Sequence, residues 1–305
     1  MDDSMVWTTQ NRGRYDRRSQ RYPSDLTSEE WVILEPLLPV PKGSGRPRRH
    51  SLREIMNGIR YVLRYGIPWD AMPKDLPPSS ICYDYWRLLS DGGPMERINH
   101  HLVMADREKA GRGASPTLAI IDAQSVKCDA PQGERGYDAG KKVLGRKRHI
   151  AVDSGGRLLA VTITSANVQD QNGGISLVKR LVRLCPWIET VVVDGGYKMR
   201  FIKAVQATAN RVVEVVKRPD FAKGFVLLPK RWKVEQTIGA LTISRRLKID
   251  YETLLHVSAA AMLFASITRL LASITMARYF PNGLLVSILK DVESAESLVI
   301  PSHWG

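Results

Sequence analysis

No two of the three cysteines, Cys82, Cys128 and Cys185, form a CxxC pair. That spacing supports neither a zinc knuckle nor a disulfide framework, and it suits a reducing cytosol. The opening MDDSMVWTTQNRGRYDRRSQRY lacks the apolar centre of a secretory signal. A long apolar run free of charge is also missing. The longest apolar-looking stretch, VSAAAMLFASITRLLASITMA, carries Arg269 in its middle and predicts a packed helix rather than a membrane span. There is no internal repeat and no low-complexity tract. Acids are in short supply: 31 Asp plus Glu face 45 Lys plus Arg, a formal net charge of +14. Such an excess fits a polyanion partner, because each neutralised phosphate releases counterions, but it is silent on fold.

What is present suffices for a core. The chain has 305 residues, 44% of them hydrophobic, enough for about two domains. Arg12, Arg14, Arg17, Arg18 and Arg21 crowd the polar first segment, which reads as a disordered arm or one lying along DNA phosphate. From Thr27 the texture is helical. In TSEE, Thr27 is the predicted N-cap with Glu30 reaching back; Trp31, Leu34, Leu37 and Leu38 then make a stripe stopped by Pro39. After the basic, turn-rich PKGSGRPRRH, Ser51 and Glu54 repeat the box. They open a helix with Ile55, Ile59, Val62 and Leu63 on one face, ended by Gly66. Ser79 is placed to cap a third helix, SICYDYWRLLSDG, and a fourth starts near Pro94. Short helices joined by tight turns, with Tyr83, Tyr85, Trp86 and Arg87 on the third, fit either a helix-turn-helix reader of DNA or a plain helical packing domain. The candidate DNA contacts here are Arg46, Arg48, Arg49, Tyr83 and Arg87.

GRGASP, residues 111–116, marks a boundary, and strands follow. TLAIIDA is one. KRHIAVDSGGRLLAVTIT reads as a hairpin turning at Asp153 to Gly156. DQNGGISLVKRLVRLC is an amphipathic helix that Asp170 is placed to cap. TVVVD is a strand, Tyr197 to Ala209 a helix, and RVVEVVKR another strand. A long helix begins near Lys230, after PDFAKGFVLLP. This order predicts an α/β domain with a mixed sheet and helices on both faces.

Two of these strands end on acids, Asp122 and Asp194. In open sheets flanked by helices, ligands gather at the carboxyl ends of strands, so two such acids converge if their strands are neighbours. Either alone reads most simply as a turn or cap aspartate; the pair, each after a β-branched apolar run, carries more. Gly195 and Gly196 allow a tight exit behind Asp194. A third acid, Glu235, lies four residues beyond Arg231 on a helix whose stripe is Val234, Ile238 and Leu241. By itself it reads as half of a solvated ion pair. Three carboxylates would suit phosphodiester chemistry, holding two divalent ions about 3.5–4 Å apart. Hard Mg²⁺ prefers oxygen ligands and needs few from the protein. The residues alone leave Asp138, Asp153 and Asp170 open as members of such a set.

The motifs narrow the choice. LTSEEWVILEPLLP, GRPRRHSLREIMNGIRYVLRYGIPWDAMPKDLPP, IIDAQSVK, GERGYDAGKKVLGRKRHIAVDSGGRLLAVTIT, VVVDGGY and GFVLLPKRWKVEQT resemble the DDE transposases of bacterial insertion sequences, in the insertion-sequence-five-like group. The likeness runs from Leu26 to Leu271. It implies a ribonuclease-H-like catalytic domain over 113–275, preceded by a small all-helical, helix-turn-helix-like DNA-binding domain over 23–112. A basic arm would occupy 1–22 and a divergent tail 276–305. The family's first Asp falls on Asp122, its second on Asp194 and its Glu on Glu235, as catalytic residues and as ligands of two Mg²⁺, for which Mn²⁺ can substitute. The resemblance implies that water cleaves a phosphodiester at the element end and that the freed 3′-hydroxyl then attacks target DNA. Lys141, Lys142, Arg146, Lys147 and Arg148 would track DNA near the site, and Arg231 would contact phosphate or steady Glu235. The implied partners are double-stranded DNA, as terminal inverted repeats and target, and further copies of the chain in a homodimer or larger assembly. No membrane is implied, and the expected location is the bacterial cytoplasm, at the nucleoid. Gln236 stands where relatives commonly carry Arg, and RYFPNGLLVSILKDVESAESLVIPSHWG does not resemble the family. A second reading is therefore a repurposed copy that binds DNA without cutting it.

Overall fold

In a computed structural model of the chain, Arg17 and residues 20–39, 49–216 and 232–275 are described. Among the described residues four helices come first: α1 (Ser28–Leu34), α2 (Leu52–Tyr65), α3 (Ser79–Ser90) and α4 (Pro94–Lys109). The Thr27–Glu30 capping box is present in both directions. Glu30 is also fully buried, between the guanidinium groups of Arg17 and Arg60. α1 stops before its predicted stripe ends. Pro36 cannot donate a helical hydrogen bond, so the chain tightens into a 3-10 turn over Glu35–Leu37. At α2 only half of the second box forms. Ser51 accepts from the Glu54 N–H, while the Glu54 carboxylate meets Asn57 and Arg21 instead. Gly66, at φ 70°, closes that helix in the left-handed conformation a C-terminal glycine supplies. α3 begins behind Pro78 with Ser79 as its first residue and no side-chain cap, so the predicted Ser79 cap does not form.

The sheet has six strands among the described residues: β1 (Leu118–Lys127), β2 (Gly136–Asp138), β3 (Val143–Val152), β4 (Leu158–Ser165), β5 (Thr190–Asp194) and β6 (Val212–Val216). Their order is β2-β3-β1-β5-β6, with β4 also paired to β3. β3 runs antiparallel to β1 and β4, whereas β1, β5 and β6 are parallel. The sheet is thus mixed, as the order of elements predicts. β2 lies in a segment read from the sequence as loop. Crossovers α5 (Asp170–Leu184) and α6 (Met199–Ala209) connect β4 to β5 and β5 to β6. The N-cap of α5 is Gln169; Asp170 is the first helical residue and its carboxylate pairs with Lys147, so it does not cap. α7 (Trp232–Leu241) is followed by a 3-10 turn over Arg245–Leu247 and by α8 (Leu255–Thr275). The predicted start near Lys230 lies outside the described residues.

Alternation assigns the two faces. The ring of His149 lies against Gly173 of α5. Arg148, one residue earlier, points the other way and donates to the Leu247 carbonyl just beyond α7. Helices therefore cover both faces, and β3 from Gly145 to Val152 is buried throughout. By length and apolar composition α8 could cross a membrane, yet 72% of its most apolar window is buried inside the molecule. It packs on α4 and β4, and its Phe264 meets Trp86 of α3 edge to face at 5.8 Å. One hydrophobic cluster consequently runs from Leu26 to Ile274.

Candidate active site

β1 and β5 are neighbours, paired Leu118 to Thr190, Ala119 to Val191 and Ile120 to Val192. The pairing ends there; the same register carried two residues further would set Asp122 level with Asp194. Parallel strands lie about 4.8 Å apart and residues two apart share a face. Asp194 ends β5 as its sequence predicts, but Asp122 does not end its strand: β1 runs on to Lys127 because its pairing with β3 continues past the acid, so Asp122 sits midway along β1. Ile120, Val192 and Ile150, the cross-strand neighbour of Asp122, are buried beneath them. Both aspartates are half-buried. Asp122 Oδ1 accepts the Ala123 N–H at 2.7 Å. Asp194 Oδ1 accepts the Gly196 N–H at 2.9 Å, the short turn an aspartate makes with its own backbone. A Cβ on Gly196 would come within 3.0 Å of that same oxygen. Close approach to the carboxylate is thus what the position requires of glycine.

Glu235 is held by α7. Val234 and Leu241 bury one side of that helix, and Thr237 Oγ1 sits 2.8 Å from the carbonyl of Gly156. Gly156 has φ 84°, and a Cβ there would lie 2.9 Å from Thr237 Oγ1, so α7 rests directly on the β3–β4 turn. Asp153 shapes that turn. It is fully buried, accepts the N–H groups of Gly155 and Arg157, and pairs with Arg107 and Arg157. Its role is accounted for by structure alone, and so is that of Asp138, which receives Ser125 and the N–H groups of Gly140 and Lys141. α7 packs on β1 and β3 over the face that carries Asp122. Glu235 itself is exposed. Among the described residues, no three His, Cys, Asp or Glu side chains gather closely enough to hold an ion. Asp122 and Asp194 thus lie on adjacent parallel strands and Glu235 on the helix packed against β1 and β3, without a ready-made three-ligand cage among the described residues.

The basic candidates divide sharply. Arg146 has no exposed surface: it bonds Asp250 at 3.1 Å and the carbonyls of Glu134, Glu252 and Thr253. Arg148 is equally buried, bonded to Leu247 and Gln124, and burial draws its pKa down to about 10. Lys147, on the opposite face, pairs with Asp170 and donates to Val168. These three do not track DNA; they fasten the polypeptide to both faces of β3, because a central strand covered on each side has no solvent for a cation to reach. Lys141 and Lys142 are exposed, and Lys141 Nζ donates to the carbonyl of Ala123, beside Asp122. Arg49 is exposed, and so are Tyr83 and Arg87, four apart on one face of α3. Tyr85 and Trp86 are core. Arg46, Arg48 and Arg231 lie outside the described residues.

A family model described as the transposase DDE domain matches residues 113–270, more than half of the chain. The chain belongs to the DDE transposase family. Another model, described as a putative transposase of the IS4/5 family, matches residues 26–99 of the transposase. A relative from Burkholderia cepacia, named insertion element IS402 uncharacterized 16.2 kDa protein, is 32% identical over 141 residues, covering 42% of this chain and 84% of its own. The mixed sheet with helices on both faces is thus a ribonuclease-H-like domain behind a helical N-terminal region. The transposase is a polynucleotidyl transferase: it cuts DNA strands at insertion-sequence ends and joins them to target DNA. DDE transposases use divalent metal ions. The carboxylates on β1 and β5 fit such ions, since carboxylate oxygens are the ligands hard cations prefer.

Proposed function

We propose that Asp122, Asp194 and Glu235 are the catalytic acids of this transposase and that they hold two Mg²⁺, with Mn²⁺ able to substitute. The observation that supports the reading is the parallel pairing of β1 with β5, whose register, carried on from Ile120 and Val192, would bring the two carboxylates side by side beneath α7. Like charges so placed repel unless a cation lies between them. Magnesium is commonly held by one or two carboxylates together with waters and substrate phosphates, so an incomplete protein cage before DNA arrives is what this chemistry calls for. Bound ions of this class lower the pKa of the attacking water or hydroxyl and neutralise charge on the leaving oxygen. The chain's own contribution is positioning. The middle of β1 would hold Asp122 and the end of β5 Asp194, the Gly156–Thr237 contact fixes the height of α7, and Lys141 brings a positive charge to the edge beside Asp122. Arg49, Tyr83, Arg87 and Lys142 would carry the flanking duplex, and Arg231 by its place in the motif would steady phosphate or Glu235. The substrates are the terminal inverted repeats and a target duplex, and joining two ends calls for a homodimer or larger assembly.

The test is cleavage of element-end DNA with Mg²⁺. Asp122→Asn, Asp194→Asn and Glu235→Gln each lower cleavage by at least about 100-fold, the scale of losing one preorganised charge at a phosphoryl centre. Binding of the same DNA persists in all three. Mn²⁺ binding, followed by calorimetry without DNA, weakens in the two aspartate variants. Undiminished cleavage in any one variant removes that residue from the set.

A further inference from the structure

Away from the carboxylates, two large apolar side chains stand in water side by side on the sheet. Tyr137 of β2 and Leu144 of β3 are 54% and 52% exposed. They are direct partners in the antiparallel ladder, so they project to one face with Cβ atoms about 5 Å apart. Nothing in the packing of the sheet requires an aromatic–aliphatic pair there. The connecting turn is well held. Asp138 accepts the N–H groups of Gly140 and Lys141, Lys141 Nζ is tied to Ala123, and Lys142 adopts φ 54°. Arg135, Lys141 and Lys142 are all exposed around the pair, while the Asp138 carboxylate is turned inward. The surface is therefore a fixed apolar pair on a hairpin that also carries the exposed cations Arg135 and Lys142, each two residues from a member of the pair.

That combination selects a ligand. Cations alone suit phosphate, and an apolar pair alone suits another protein. Together they match a polyanion that also offers flat apolar faces, which is nucleic acid with a base out of its stack. A regular duplex offers only base edges. Alternation along β3 from Leu144 through Arg146 and Arg148 to Ile150 keeps the pair on the face that carries Asp122, about 20 Å along the strand at about 3.3 Å per residue.

We propose that Tyr137 and Leu144 form a stacking wedge that receives an unpaired or flipped base of the DNA strand engaged by the transposase, with Arg135 and Lys142 on its flanking phosphates. The inference rests on the reading that DNA follows the basic β2–β3 turn, and the experiment separates the two. The full chain and its Tyr137→Ala, Tyr137→Phe, Leu144→Ser and Arg135→Ala/Lys142→Ala variants are titrated with labelled oligo-dT and with a mixed-sequence duplex of equal length, over a range of salt. Tyr137→Ala weakens oligo-dT binding by about 5- to 100-fold and changes duplex binding by less than about twofold; Tyr137→Phe restores it, and Leu144→Ser has the same selectivity with a smaller loss. An unchanged oligo-dT affinity in Tyr137→Ala, or an equal loss on both probes, overturns the wedge. So does a variant that keeps its DNA affinity but loses self-association in sedimentation, which would make the pair a contact between copies. The double variant lowers the salt slope on duplex by about two. An unaltered slope overturns the path along the turn while the stacking result stands or falls by itself.

Discussion

Arg146 is a cation with no access to solvent, surrounded by one carboxylate and three carbonyls. Its partner Asp250 is 2% exposed and also holds Ser258. Removing one half of a buried pair leaves the other charge uncompensated, which costs about 3–5 kcal/mol. Arg146→Leu therefore lowers the unfolding free energy from urea titration by that amount, while the salt slope of DNA binding is unchanged in protein that remains folded. A fall in slope without loss of stability would return Arg146 to the DNA interface. The contrast also shows what a residue discloses of itself. Asp122 and Asp194 are legible because a β-branched run that ends on an acid is a local pattern, and register does the rest. Arg146 is illegible because its partner lies 104 residues further on. In sequence, a basic run inside a covered strand looks the same as one on a surface turn.

Between elements, α5 and β3 meet in a close joint. A Cβ on Gly173 would lie 2.0 Å from His149 Nε2, so helix and strand approach as closely as the imidazole permits. His149 Nε2 lies 3.0 Å from Thr164 Oγ1, and the ring is fully buried. Burial is the main force holding its pKa down to about 4; Asp170 opposes this, and Lys147 and Lys141 reinforce it. The unfolded chain binds this proton near pH 6.5, whereas the folded chain refuses it until about pH 4. The contribution to stability is thus complete above pH 6.5 and is lost as pH falls from there to about 4, by about 3 kcal/mol in all. Urea titrations across that window give a steeper decline for the native chain than for His149→Gln; parallel declines would show that the imidazole is not the source. Strand and helix identities were readable here from periodicity, and so was the turn at Asp153. The caps were less so: Asp170 and Ser79 are good cap residues by type, yet Gln169 and Pro78 hold the cap positions because tertiary pairing with Lys147 and the Pro77-Pro78 entry decide where each helix begins.

At the scale of the whole molecule, the change of pattern near residues 111–116 reads as a border between two independent units, and the two family models match on either side of it. The packing ties the sides together. α8 supplies apolar contacts to α1, α3 and α4 and to β4, and the Arg107–Asp153 and Arg157–Asp106 pairs link α4 to the β3–β4 turn under α7. The sequence cannot display this, since the joining helix comes after both regions it joins. Geometry around Asp122 and Asp194 is therefore coupled through the packing to the N-terminal helical region. Phe264, buried in α8 against Trp86, is the test of that coupling. Phe264→Ala opens a cavity costing about 3–5 kcal/mol. If the core is one cooperative unit, amide exchange by global opening quickens to the same extent in peptides from α2 and from β1, and calorimetry keeps a single transition at a lower temperature. Faster exchange confined to α3 and α4, or a second transition, would mean that the helical region unfolds on its own and that α8 only rests against it.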